Sequence, residues 1–139
     1  MKKVLSKLFI LSALVPASYL FFMSLVSLFF FGSRIFDKGI FLLYLSAILG
    51  VIGYIGFWNL LFNGLSKYRL HSLTFLTLGV IGFLIFTSNA PNPSSFFEVM
   101  FEKRKVYEWF LFIYPNLVAI FFIILLSKKL IFDKDRIIE

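Results

Sequence analysis

Of 139 residues, 60% are hydrophobic and only 15% are charged, a balance well outside that of water-soluble domains. A soluble chain of this length has too little interior to hide so much apolar surface, whereas hydrocarbon does not penalise it. The absence of cysteine excludes disulfides, thiolate nucleophiles and cysteine-ligated metals, and the net charge of +7 is spread over the ends of apolar runs.

A bilayer core takes about 20 apolar residues per helix. The first stretch of that kind, Leu8 to Phe31, follows Lys2, Lys3 and Lys7 and begins like a secretory signal, with small residues at Ala17 and Ser18. The apolar run nevertheless continues far enough to span, so a retained helix is expected, kinked at Pro16. The second stretch is Ile40 to Asn63 and the third is Ser72 to Ala90. Pro91 and Pro93 then stop the chain, and Ser95 with Glu98 three residues later reads as a capping box. Phe96, Phe97, Met100 and Phe101 alternate with Glu98, Glu102 and Lys105 at helical spacing, the pattern of a short helix in the headgroup layer. Tyr107 and Trp109, at the level of an aromatic belt, lead into the fourth stretch, Trp109 to Ser127.

None of the four stretches contains Asp, Glu, Lys, Arg or His. They take 86 of the 139 residues, and the 53 left for tails and loops leave no room for a soluble catalytic domain. The expected fold is therefore all-α: one polytopic domain over residues 1–139, a bundle of four transmembrane helices with a short interfacial helix before the last.

Lysine and arginine placement sets the expected orientation. With the N-terminus inside, Lys2, Lys3, Lys7, Lys67, Arg69, Lys128, Lys129, Lys134 and Arg136 are cytoplasmic, nine in all, against Arg34, Lys38, Lys103, Arg104 and Lys105 outside. Three acids (Asp133, Asp135, Glu139) join the inner set and four (Asp37, Glu98, Glu102, Glu108) the outer, giving nets of +6 and +1. Both termini are thus expected in the cytoplasm, with the chain in the inner membrane of a cell.

The strongest local pattern is a repeat, Leu49-Gly50-Val51-Ile52-Gly53-Tyr54 and Leu78-Gly79-Val80-Ile81-Gly82-Phe83. Gly53 lies ten residues before the end of the second stretch and Gly82 ten after the start of the third, which places them at matched depth in an antiparallel hairpin. Ala47, Gly50, Gly53 and Gly56 continue a small-residue row at every third position, the kind that lets membrane helices approach closely. Helix packing is the expected role of Gly50, Gly53, Gly56, Gly79 and Gly82, and a substrate path along the glycines is the sharper alternative.

Asn59, Asn63, Asn89 and Asn116, with Ser24, Ser27, Thr74, Thr77 and Thr87, are expected to make interhelical hydrogen bonds. Pro115 should loosen the fourth helix beside Asn116. His71 is the sole histidine, so a metal site is not expected and a solvated interfacial side chain is. Small multidrug transporters are similar in length and helix number, but they depend on an acidic residue in the first span, and Leu8 to Phe31 has none. The sequence accordingly points to no catalytic residue, no cofactor and no direct nucleic-acid contact.

After the fourth span, Lys128, Lys129, Phe132, Arg136, Ile137 and Ile138 mix charge with apolar side chains. These rest on lipid headgroups or dock on a soluble partner. In size, helix number and Phe/Ile/Lys-rich composition the chain resembles the membrane subunits of the Kiwa anti-phage defence system. The resemblance implies a non-enzymatic homo-oligomer that senses attack at the membrane and recruits a cytoplasmic DNA-binding effector. The chain also looks like immunity proteins against pore-forming bacteriocins, which are small, basic and polytopic and meet the toxin within the bilayer. A lipid flippase is a third class, and it needs a polar cavity that these spans scarcely provide.

Overall fold

The computed structural model describes residues 2–31, 40–65, 68–88 and 106–138, and no strand occurs among them. Five helices follow in order: α1 Lys2–Phe31, α2 Ile40–Asn63, α3 Arg69–Ser88, α4 Val106–Phe112 and α5 Tyr114–Ile138. Four segments are long and apolar enough to cross a membrane: Val4–Phe30, Ile40–Asn63, Arg69–Ser88 and Trp109–Ile131. Even the shortest, at 20 residues, extends about 30 Å, the thickness of a hydrocarbon core. The chain is a multi-pass, all-α membrane protein. The interfacial helix expected from Ser95 lies outside the described residues.

Helices satisfy the backbone polar groups of such sequences within hydrocarbon. α1 continues as one helix through the buried Pro16, which lacks the N–H that would bond the Ser12 carbonyl. Between α2 and α3 the chain reverses through Gly64 at φ 65° and Tyr68 at φ 54°. The Gly64 amide donates to the Leu60 carbonyl at 2.9 Å and ends α2 in a left-handed cap that favours glycine. The third span starts three residues before the expected Ser72, because Arg69 and His71 at a membrane boundary are compatible with helix though not with hydrocarbon.

The fourth crossing is interrupted at Ile113, between α4 and α5. Backbone bonds from Ile113 to Trp109 and from Leu117 to Ile113 carry the ladder across the break. Pro115 cannot donate to the Leu111 carbonyl, which accounts for loosening at this point. Asn116 donates its side-chain amide to the Phe112 carbonyl at 2.9 Å, so it ties α5 to α4 across the break instead of bonding to another span as expected.

Each long helix packs against its neighbours in sequence, and α5 closes the ring against α1 and α3. Adjacent helices are antiparallel. Ser18 and Ser24 of α1 meet Tyr54 and Gly50 of α2 in descending order, and Gly50 and Gly53 meet Gly82 and Gly79 of α3 likewise. The closely packed core lies in one half of the bundle. Ile10, Ala13 and Leu14 of α1, Phe57 and Leu60 of α2, Leu76 of α3, and Val118, Phe122 and Leu126 of α5 are all buried there. Outward faces carry large exposed apolar side chains, including Phe29 and Phe30 at 87% and 75% exposure, as lipid contact requires.

Candidate functional site

The repeated glycine segment builds the hairpin of α2 and α3. A Cβ placed on Gly53 would lie 2.6 Å from the Gly79 Cα, closer than two carbon atoms approach, so the two backbones touch. One turn away, a Cβ on Gly82 would lie 2.6 Å from Leu49 Cβ and 3.2 Å from the Gly50 nitrogen. The first glycine of each repeat therefore faces the second glycine of the other. On the far side of this pair, a Cβ on Gly56 would sit 3.1 Å from the Leu76 nitrogen. Gly53 thus meets Gly79 and not the expected Gly82. The difference is one helical turn, and it arises because depth judged from charge begins the third span at Ser72, whereas the helix begins at Arg69.

Polar side chains divide into two sets. Ser27, Thr74, Thr77 and Thr87 bond to carbonyls three or four residues earlier in their own helices, which corrects their expected interhelical role. Hydrogen bonds among the described residues do join different spans. The Asn59 amide donates to Ser72 Oγ at 2.8 Å, Ser12 Oγ and the Tyr114 hydroxyl are 2.6 Å apart, and Ser18 Oγ and the Tyr54 hydroxyl are 3.1 Å apart. Asn63 supports the first by donating to Asn59 Oδ1. Asn89 lies outside the described residues. The roles of Ser12, Ser18, Tyr54 and Tyr114 escape sequence reading, because single hydroxyls in apolar helices carry no periodic signal. Tyr54 was visible only as the last residue of the first repeat.

Tyr54 also begins an aromatic ladder on α2. Its ring stacks on Phe21 of α1 at 4.4 Å between centroids and meets Trp58 edge-on, and Trp58 stacks on Phe62 at 5.3 Å. The four-residue spacing of 54, 58 and 62 brings these rings onto one face. At the same end of the bundle, a shallow cleft is lined by Trp58, Asn59, Asn63, Tyr68 and His71. His71 is exposed and meets the Tyr68 ring edge-on. Among the described residues no cluster of ligating side chains has the composition of a metal site.

The half of the bundle opposite the core encloses a cavity of about 290 Å³. All four long helices contribute to it: α1 between Ala17 and Ser27, α2 between Leu43 and Phe57, α3 between Leu76 and Phe86, and α5 through Pro115, Asn116 and Ala119. Phe112 of α4 completes the wall. Gly50, Gly53, Gly79 and Gly82 contribute backbone to its wall. Chemically, this is a site for an apolar group, with hydroxyls as its main polar features.

The segment expected to dock a partner is a continuation of α5. The apolar span ends at Ile131, and the helix runs on to Ile138. Lys128 and Lys129 are exposed on it, and Phe132, Arg136, Ile137 and Ile138 belong to the same helix. Comparisons with family models, with curated proteins and with solved structures return no match for this chain.

Proposed function

We propose that this protein is a non-enzymatic scaffold or sensor of a bacterial inner membrane, oligomerising in the bilayer with both termini in the cytoplasm and recruiting a soluble partner. The observation that carries this reading is the extension of α5. Seven helical residues beyond the span extend about 10 Å along the helix axis and combine Lys134 and Arg136, balanced by Asp133 and Asp135, with Phe132, Ile137 and Ile138. Lys128 and Lys129 favour the anionic cytoplasmic leaflet by about 1 kcal/mol each. Because the extension is in helical register with the span, a change of packing in the bundle is transmitted to it without a flexible joint. Anti-phage defence, the setting of the Kiwa subunits that the sequence resembles, is a role in which such a relay is useful.

Converting Phe132, Ile137 and Ile138 together to Ser tests the reading. A stoichiometric soluble protein should co-purify from native membranes with the unmodified chain and be lost from the variant, while membrane insertion is unchanged. If no soluble protein accompanies the unmodified chain, the recruitment reading fails. A second reading, immunity against a pore-forming bacteriocin, is favoured by the broad exposed apolar faces around Phe29, Phe30 and Phe62. Under that reading the triple variant protects cells as well as the unmodified chain does.

A further inference from the structure

We propose that the cavity holds one acyl chain of a membrane phospholipid, drawn from the leaflet at the end where α1 finishes and α2 begins. This inference rests on the multi-pass fold and is independent of the recruitment reading. Its first support is size. At about 290 Å³ the cavity is roughly twice the volume of an engineered apolar cavity that takes benzene. A segment of flexible hydrocarbon fits.

The second support is the state of the polar groups on the wall. Ser27 and Ser46 donate their hydroxyls to the carbonyls of Met23 and Leu43, and Asn116 donates to Phe112. The Tyr54 hydroxyl is engaged with Ser18. An ordered water needs two to four polar partners, and of the side chains on the wall the Ser24 hydroxyl alone is without a hydrogen bond among the described residues, too few to hold one. Phe21, Phe57, Phe83, Phe86 and Phe112 supply aromatic wall around them. A site of this kind excludes water and polar solutes and accepts a saturated or unsaturated chain.

The third support is access. Met23 of α1 and Phe86 of α3 line the cavity and are also 47% and 41% exposed, so they stand at its mouth on the lipid-facing surface. Met23 is flexible and yields readily to an entering chain. The opposite wall cannot close over the space, because the backbone contact of Gly53 with Gly79 fixes α2 against α3. In a bilayer, the abundant molecule with this chemistry at this depth is the acyl chain itself.

The test uses the full chain in phosphatidylcholine vesicles containing a phosphatidylcholine with a photoreactive diazirine on one acyl chain. After illumination, adducts should map to the lining residues Met23, Phe83, Phe86 and Phe112 as well as to outward residues such as Phe29. Filling the cavity from different helices, with Ser27→Phe and separately Ala47→Phe, should remove the lining adducts and keep those at Phe29. Adducts confined to outward residues in the unmodified chain overturn the proposal, as do lining adducts that persist in both filled variants. A parallel arm with diazirine palmitate in unlabelled vesicles separates the sources. Lining adducts from palmitate alone overturn the assignment to phospholipid.

Discussion

Alanine at Gly53 is the sharpest perturbation of the hairpin. Its Cβ would lie 2.6 Å from the Gly79 Cα, and that atom belongs to a helix backbone that cannot rotate away. Carbon atoms in contact settle at about 3.5 to 4 Å, so α2 and α3 must part by about 1 Å. The separation also opens the contacts of Gly82 with Leu49 and of Gly56 with Leu76. Overpacking of this kind costs about 1 to 3 kcal/mol, and the better helix propensity of alanine offsets up to about 1 kcal/mol of it. A net loss of up to about 2 kcal/mol is expected in reversible unfolding by SDS titration in mixed micelles. Gly79→Ala should cost as much, and the double variant should cost less than the sum, since the first Cβ makes the room the second needs. Gly50→Ala is the control. Its Cβ would meet Ser24 Oγ at 3.0 Å, a rotatable group, and stability should change by less than about 0.5 kcal/mol. Equal losses for Gly50→Ala and Gly53→Ala, or no loss for either, would refute the backbone contact.

Three further outcomes follow from single contacts. Gly64→Ala meets open space but holds φ at 65°, so unfolding should show a loss of about 1 kcal/mol from backbone strain alone. Asn59→Leu removes the partner of the fully buried Ser72 hydroxyl and should cost about 1 kcal/mol, with Ser72→Ala adding little on top. Tyr114→Phe keeps the ring contacts with Phe9 and Phe110 and removes the bond to Ser12. A double-mutant cycle with Ser12→Ala should give a coupling near 0.6 kcal/mol, and zero coupling would mean the hydroxyls do not interact.

The spans were legible because hydrocarbon demands long runs without charge, and α2 was read to the residue. Reading charge as a boundary failed at Arg69, and the same three-residue error shifted the glycine pairing by a turn. Side-chain partners were not legible. These helices are apolar on every face, so no periodic stripe distinguishes the side that packs from the side that meets lipid. Asn116 shows a second reason: its side-chain amide bonds the Phe112 carbonyl one turn back, a local partner that competes with any interhelical one. The cavity was hidden for a third reason. It is lined by residues of all four long helices, and the space between them depends on how those helices converge.

Four crossings require that the N-terminus, the Gly64 turn and the C-terminus lie on one face of the membrane and Ser94 on the other. Cysteines introduced singly at Ser6, Gly64, Ser94 and Glu139 of this cysteine-free chain, probed with a membrane-impermeant maleimide on intact and on opened cells, read all four positions directly. Labelling of Ser94→Cys alone in intact cells, with the other three labelled only after opening, is the expected result. Labelling of Ser6→Cys and Glu139→Cys on opposite sides would contradict the four-span bundle, and labelling of both from outside would contradict its orientation.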